Sequence, residues 1–153
     1  AIGRALIDRG ALTKDNVSMP AIRVWLAAHP NEASDVMNLN ASYIFFRPLK
    51  GNDGPLGAEG VPLTPRRSLA VDRKKIPYGV PVFLDAEEPD GGKRLQQLML
   101  AQDTGGAIPG VVRGDFFWGA GEDAAHKAGI MKRQGRSWIL LPKSVEVTKE
   151  KLR

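Results

Sequence analysis

The sequence predicts a mainly β domain that follows a helical N-terminal segment. Helical patterns occupy most of residues 1–47, whereas short strand-like runs separated by glycine and proline follow residue 48. Short strands with this punctuation favour a small barrel over a sandwich of long strands. We therefore expect a helical lead-in with a first strand at 1–47, a barrel at 48–143 and a polar tail at 144–153.

The N-terminal segment has recognisable helix signals. Ser18 can cap a helix that holds Pro20 in its first turn, where proline is tolerated. Asn31 is expected to cap a second helix over residues 32–39. The aromatic and β-branched run Tyr43-Ile-Phe-Phe46 then predicts the first strand.

The remainder of the chain predicts four further strands and one helix. Residues 48–65 contain four prolines and four glycines, which indicates a long ordered loop. Asp90-Gly-Gly-Lys93 is typical of a hairpin connection, because glycine adopts the positive φ that such turns need. The strands are expected at 68–71, 80–84, 95–101 and 138–141, and the helix at 122–131.

Composition excludes several classes of protein. The net charge is +5, but the basic residues are scattered, so we expect no nucleic-acid partner; mild basicity suits an anionic wall polymer. No run of about 20 apolar residues could span a membrane. The chain has no cysteine and two distant histidines, so neither a thiolate nucleophile nor a metal or other cofactor is expected.

Two aspartates stand in a stretch rich in glycine and aromatic residues. Asp103 precedes Thr-Gly-Gly, and Asp115 precedes Phe116, Phe117 and Trp118. Carboxyl groups beside apolar rings are partly desolvated, which suits proton transfer, and the rings offer flat faces for sugars. The combination predicts a carbohydrate-cleaving site, and an Asx turn remains the structural alternative for Asp103.

The other carboxylates of this half have structural explanations. Glu122 and Asp123 begin the predicted helix, where acidic residues complement the dipole. Asp72 precedes Arg73, so a salt bridge or a turn bond competes with a role in the site. The charged loop is expected to be solvated surface, and it comprises Asp85, Glu87, Glu88 and Asp90.

Several motifs together carry a family resemblance. They are Gly60-Val-Pro-Leu-Thr-Pro65, Arg67-Ser-Leu-Ala-Val-Asp72, Ile76-Pro-Tyr-Gly79, Leu98-Met-Leu-Ala-Gln-Asp-Thr-Gly-Gly-Ala-Ile108 and Gly114-Asp-Phe-Phe-Trp-Gly119. In these motifs the chain resembles the C-terminal part of the membrane-bound lytic murein transglycosylase A family. Asp72, Asp103 and Asp115 match the three aspartates after which the 3D domain of that family is named.

The resemblance implies a six-stranded double-psi β-barrel and a peptidoglycan lytic transglycosylase. Such an enzyme cleaves the β-1,4 bond between N-acetylmuramic acid and N-acetylglucosamine and leaves a 1,6-anhydromuramoyl end. It implies that Asp115 acts first as the acid and then as the base, and that Asp103 assists. The implied substrate-binding residues are Asp72, Thr104, Gly105, Gly106, Arg113, Trp118 and Gly119.

The resemblance also implies a location and a partner. Peptidoglycan strands in the periplasm are the implied partner, with association to the outer membrane through an upstream lipid anchor or secretion signal. The resemblance places an N-terminal segment and a second domain before Ala1, so we expect activity to depend on that missing segment. The alternative function is a non-catalytic, expansin-like barrel that binds wall polysaccharide.

Overall fold

The computed structural model describes residues 1–45, 48 and 54–146, which divide into two compact units. One unit comprises Ala1–Gly51 with Gly129–Met131, and the other comprises Asn52–Ala128 with Lys132–Arg153. Within the described ranges, no helix is both long enough and apolar enough to cross a bilayer.

The first unit is helical, as the sequence predicts. Its helices are α1 (Ile2–Asp8), α2 (Met19–Ala28) and α3 (Pro30–Asn38). The Ser18 hydroxyl accepts a hydrogen bond from the Ala21 N–H at 3.3 Å, which confirms the predicted cap of α2. Leu6 and Val36 are fully buried and supply the apolar centre of this unit.

Two details of the N-terminal segment differ from the prediction. Helix α3 begins at Pro30 rather than after an Asn31 cap, because proline fixes φ near the helical value and suits the first turn. Tyr43–Phe45 are exposed. They have no regular secondary structure, because no described strand pairs with them. Phe46, the last residue of the predicted first strand, lies outside the described residues.

The second unit is built on a mixed five-stranded sheet with one helix. The elements are β1 (Ser68–Val71), β2 (Pro81–Glu87), β3 (Arg94–Asp103), β4 (Gly114–Phe116), α4 (Glu122–Ile130) and β5 (Arg136–Ile139). The strand order is β4-β1-β3-β2-β5, with β1 and β3 parallel and the other pairs antiparallel. The expected sheet with flanking helices is confirmed, but the described residues contribute five strands to the sheet rather than the expected six.

One face of this sheet carries the core. Leu69 and Val71 of β1 pack there with Val82 of β2 and with Met99 and Ala101 of β3, and all five are at most 5% exposed. The alternation of side chains along a strand sends the intervening residues to the opposite face. The position of the core therefore decides which side chains of β1 and β3 remain available for a site.

The loops at 88–93 and 54–65 have the conformations that their glycine and proline residues predict. The loop at 88–93 closes the β2–β3 hairpin: the Glu88 N–H donates to the Lys93 carbonyl at 2.9 Å, and Gly91 has φ +80°. Residues 54–65 contain no helix or strand beyond an isolated bridge between Leu56 and Pro62. The predicted hairpin is confirmed, as is the irregular loop over its described residues.

The expectation of a solvated charged loop is wrong for Asp85 and Glu88. Asp85 is only 5% exposed, and its carboxylate accepts from Arg94 Nε at 2.6 Å and from Arg136 Nη2 at 3.2 Å. Glu88 is 8% exposed, whereas Glu87 and Asp90 are exposed as expected. A buried carboxylate is stable only when it is paired. One partner of Asp85, Arg136, lies 51 residues further along the chain, so no local pattern predicts the pair.

Candidate active site

A single row of residues brings the two candidate aspartates onto one face of the sheet. Ala70 of β1 pairs with Asp103 of β3 on one side and with Asp115 of β4 on the other. Since two strand spacings separate the aspartates, their backbones lie roughly 10 Å apart. Leu69 and Val71 face the core, so the row lies on the opposite face.

A β-bulge sets this arrangement. Leu69 pairs with Ala101, but Ala70 pairs with Asp103, so Gln102 is the extra residue on β3. Bulges re-aim a side chain next to a functional site. Without this bulge Gln102, and not Asp103, would stand beside Ala70.

A cleft of about 240 Å³ opens over the row. Both aspartates line it, together with Thr104 and Gly105, while Leu63 and Ile108 contribute apolar surface. The structure therefore brings together six of the residues that the sequence singled out, since Phe116 and Phe117 also line the cleft. The other candidates lie outside this lining: Asp72, Gly106, Arg113, Trp118 and Gly119.

Asp103 is held by a backbone donor from the long loop. Its Oδ1 accepts from the Ala58 N–H at 3.0 Å, and the residue is half-buried. This long-range bond replaces the Asx turn that the sequence left open. Next to it, the Thr104 hydroxyl donates to the Val71 carbonyl at 2.7 Å and ties the end of β3 to β1.

Asp115 lies in the short edge strand β4 and is exposed. Its side chain is 58% accessible, and Arg113 Nε is 3.8 Å from its Oδ1. The expectation that the following aromatic residues desolvate this carboxyl is therefore wrong for the described chain. Phe116 lies on the core side with Leu69, because side chains alternate along the strand.

Trp118 is not available as a sugar platform. It is 7% exposed, and its ring packs against Phe116 with a centroid distance of 4.6 Å. The expectation that its face stacks on substrate is wrong because protein atoms already cover it. Gly119 has φ +106°, and an added Cβ would lie 3.0 Å from Pro65, so this glycine serves a tight turn.

Asp72 acts as a connector between two loops. Its Oδ2 accepts from the Gly110 N–H at 2.8 Å and its Oδ1 from the Lys74 N–H at 3.0 Å. The turn-bond interpretation is thus confirmed, and the predicted salt bridge to Arg73 is absent from the ion pairs of the described residues. The Gly110 N–H, followed by that of Lys74, lowers the pKa of Asp72.

This lowered pKa predicts acid sensitivity. A carboxyl whose pKa in the folded chain lies below its usual value of 3.8 contributes stability above that value. The contribution is lost as the pH falls through the lowered pKa. We expect the thermal unfolding midpoint to fall as the pH drops below 3.8, with a shallower fall in Asp72→Asn, when both proteins are followed by circular dichroism. Equal slopes in the two proteins would contradict this assignment.

A polar pair at the cleft, Ser68 and Gln102, has no signal in the sequence. Ser68 is 1% exposed, and its hydroxyl accepts from the Thr64 N–H at 2.8 Å and donates to Gln102 Oε1 at 2.7 Å. The pair joins the long loop, β1 and the bulge of β3. A lone serine and a lone glutamine separated by 34 residues give no local signal for such a contact.

Two family models match the chain. A model described as the 3D domain matches residues 67–141, and one described as the MltA specific insert domain matches residues 1–47. The first match contains the row of Asp103, Ala70 and Asp115. The second corrects the expectation that the second domain lies wholly before Ala1, because insert-domain sequence is present in this chain.

Proteins named membrane-bound lytic murein transglycosylase are similar to this chain over most of its length. Membrane-bound lytic murein transglycosylase A of Escherichia coli K12 is 40% identical over 147 residues, which cover 92% of this chain and 40% of that protein. The crystal structure of a membrane-bound lytic murein transglycosylase from Agrobacterium tumefaciens matches with 46% identity and a TM-score of 0.82, over 94% of this chain and 40% of that one.

A solved structure of E. coli MltA with bound chitohexaose also matches, at 36% identity and a TM-score of 0.82. The match covers 91% of this chain and 43% of that one. The chain thus spans about two fifths of the length of its curated relatives. With the 3D domain, insert-domain sequence and the shared fold in place, the chain belongs to the membrane-bound lytic murein transglycosylase A family.

Proposed function

We propose that this chain carries the catalytic aspartate of a peptidoglycan lytic transglycosylase and the floor of its substrate cleft. The observation that carries the proposal is the row of Asp115, Ala70 and Asp103 beneath a cleft that both carboxylates line. The names of the relatives and the chitohexaose bound to one of them support the assignment. The proposed substrate is the glycan strand of peptidoglycan.

Asp115 is the proposed acid and base. As the acid, its carboxyl protonates the O4 of N-acetylglucosamine while the bond from that oxygen to C1 of N-acetylmuramic acid breaks. The C6 hydroxyl of the same muramic acid attacks C1 and forms the 1,6-anhydro ring. The Asp115 carboxylate takes the proton of that hydroxyl, so the residue ends the cycle as it began.

This chemistry explains why one proton-transferring carboxylate is enough. A hydrolase needs a second carboxylate to activate water or to form a glycosyl-enzyme. Here the nucleophile belongs to the substrate, and its tether gives it a high effective concentration. Asp103 then needs no covalent role; with one oxygen held by Ala58, its other oxygen is proposed to bind a sugar hydroxyl or amide.

Because Asp115 is exposed, the bound substrate is proposed to shield its carboxyl from water. A glycan strand in the cleft displaces water from the carboxyl and so supplies the desolvation that the flanking rings do not. Thr104 and Gly105 line the cleft beside Asp103 and are the proposed polar contacts for the strand. Gly106 and Arg113 are exposed neighbours, proposed to contact the substrate at the rim.

The finer features of the family are proposed for the complete protein. The five described strands are proposed to form part of a six-stranded double-psi barrel, completed by an N-terminal segment that also supplies a wall of the groove. The proposed location is the periplasm, with an upstream anchor or secretion signal holding the protein at the outer membrane. Peptidoglycan in that compartment is within reach of such an enzyme.

Product analysis tests the proposal. Purified peptidoglycan sacculi are incubated with the chain, and with any longer natural protein that contains it, and the soluble muropeptides are identified by mass spectrometry. We expect 1,6-anhydromuramoyl ends, which lie one water mass below reducing ends. Reducing ends would show a hydrolase instead. Sedimentation with sacculi without any soluble product would favour the expansin-like binding function.

A further inference from the structure

Arg66 has an unusual backbone. Its φ of +62° makes it the one residue other than glycine with a positive φ among those the structure describes. A side chain in this region crowds the backbone, so such a conformation persists where surrounding contacts impose it. The contacts of Arg66 are therefore informative about what the loop before β1 has to hold.

Arg66 contacts the chain just after β4 through its backbone. Its N–H donates to the Phe117 carbonyl at 2.7 Å, while the Phe117 N–H donates to the Ser68 carbonyl at 3.2 Å. Asp115 is two residues before Phe117. These two bonds continue the β1–β4 pairing beyond the last residue of the strand.

The side chain of Arg66 reaches the same segment by a second route. Its Cζ lies 5.3 Å from the centre of the Trp118 ring, and its Nη2 donates to Glu88 Oε1 at 2.9 Å. Lys127 of α4 also lies over that ring, with Nζ 5.5 Å from its centre, and it pairs with Glu88 at 3.6 Å. One buried carboxylate thus contacts both cations, and Lys127 also pairs with Asp123 at 3.4 Å.

Trp118 is held by its ring rather than by its polar atom. Its indole N–H is buried and has no acceptor within the described part of the chain. Cation–π contacts strengthen when they are desolvated, and the ring is 7% exposed. The two cations and Phe116 therefore fix the ring three residues after Asp115.

Strand β4 has little else to fix it. It is three residues long, lies at the edge of the sheet and pairs only with β1 among the described strands. Short edge strands have few ladder hydrogen bonds and open easily. Yet the direction of the Asp115 carboxyl in the cleft depends on this strand.

We propose that Arg66 is a positioning residue for Asp115, and that Arg66, Glu88, Lys127 and Trp118 form a clamp on β4. This inference rests on the proposed role of Asp115 in proton transfer. The clamp acts on the strand and touches no substrate. It orients the carboxyl by fixing the backbone on which the carboxyl is carried.

Three variants test the clamp. Arg66→Gly keeps the backbone N–H and suits φ +62°, so it removes the side-chain contacts without backbone strain. Arg66→Lys restores a cation over Trp118 and near Glu88. Arg136→Ala is the matched control, because Arg136 makes the same pair of contacts elsewhere: 5.4 Å to the Trp138 ring and 3.2 Å to Asp85.

Amide hydrogen exchange is the first measurement. In Arg66→Gly we expect exchange at the β4 amides and Phe117 to accelerate at least ~10-fold, with little change in the β2–β3 hairpin. Arg66→Lys should restore most of the protection, and Arg136→Ala should leave β4 unchanged. Unaltered exchange of β4 in Arg66→Gly would overturn the inference.

Kinetics with soluble peptidoglycan strands is the second measurement. Misplacing a catalytic group by about 1 Å can cost ~100-fold in rate, so we expect kcat of Arg66→Gly to fall ~10–100-fold with KM within ~3-fold. Arg66→Lys should recover most of kcat, and Arg136→Ala should match the parent. Loosened β4 with unchanged kcat would overturn the positioning role. If neither this chain nor a longer natural protein that contains it forms anhydro product, the proposed function is refuted instead, and the exchange data still test the clamp.

Discussion

Replacing Asp115 with asparagine is expected to lower the rate of anhydromuropeptide formation by about 10²–10⁴-fold, the usual contribution of general acid–base catalysis. Asparagine has nearly the same shape, but it can neither donate a carboxyl proton to the leaving oxygen nor accept one from the C6 hydroxyl. Because the side chain is exposed and, among the described residues, its one ion contact is with Arg113 at 3.8 Å, the fold should be retained. Product release from sacculi, followed by chromatography and mass spectrometry, measures the effect.

The other two aspartates of the family pattern serve as comparisons. Asp103→Asn keeps an oxygen that can accept from the Ala58 N–H, so we expect a smaller loss, roughly 10-fold, from the weakened contact with a sugar. Asp72→Asn should change the acid stability more than the rate. If Asp103→Asn proves inactive while Asp115→Asn retains activity, the two roles are reversed and the proposed mechanism is wrong.

Gly57→Ala is expected to be the most destabilising small substitution near the site. Gly57 is buried, and an added Cβ would overlap the Gln102 carbonyl oxygen and lie 2.6 Å from Leu63 Cδ2. The carbonyl belongs to the bulge of β3 and cannot rotate away. Overpacking of this kind costs about 2–3 kcal/mol, or a fall of roughly 5–15 °C in Tm.

Gly57→Ala should also disturb the contacts of Asp103 in the site. Ala58 follows Gly57 directly, so displacing the loop moves the N–H that holds Asp103. Gly92→Ala is the matched control, since the nearest atom to its added Cβ, Asp90 Oδ1, is 3.9 Å away and its φ is not in the left-handed region. Differential scanning calorimetry of both variants measures the effect. Equal midpoints would show that the loop adapts without cost.

Local signals predicted most of the fold. The strand at 68–71 and the start of α4 were predicted at their observed positions, because apolar runs and first-turn acids are local features. Helix α3 was placed two residues late, since the proline at its start outweighed the asparagine cap. Strand β4 was missed because a three-residue strand that begins with glycine has no periodicity to detect.

The site was predictable in its residue types but not in its surroundings. The glycine-rich and aromatic setting singled out Asp103 and Asp115, and both line the cleft. The same setting misled the interpretation of Trp118, whose ring is covered by Arg66 and Lys127 from distant parts of the chain. Exposure of Asp115 and burial of Glu88 likewise depend on long-range packing, which no local pattern encodes.

The topology of the sheet also fixes when the site can appear during folding. The β2–β3 hairpin is local and can close early, whereas Asp103 and Asp115 meet Ala70 only after loops of 33 and 45 residues have closed. One of these pairings is parallel, which no tight turn can make. We expect the carboxylates to converge late on the folding pathway, so a nascent or partly unfolded chain does not yet have the assembled cleft.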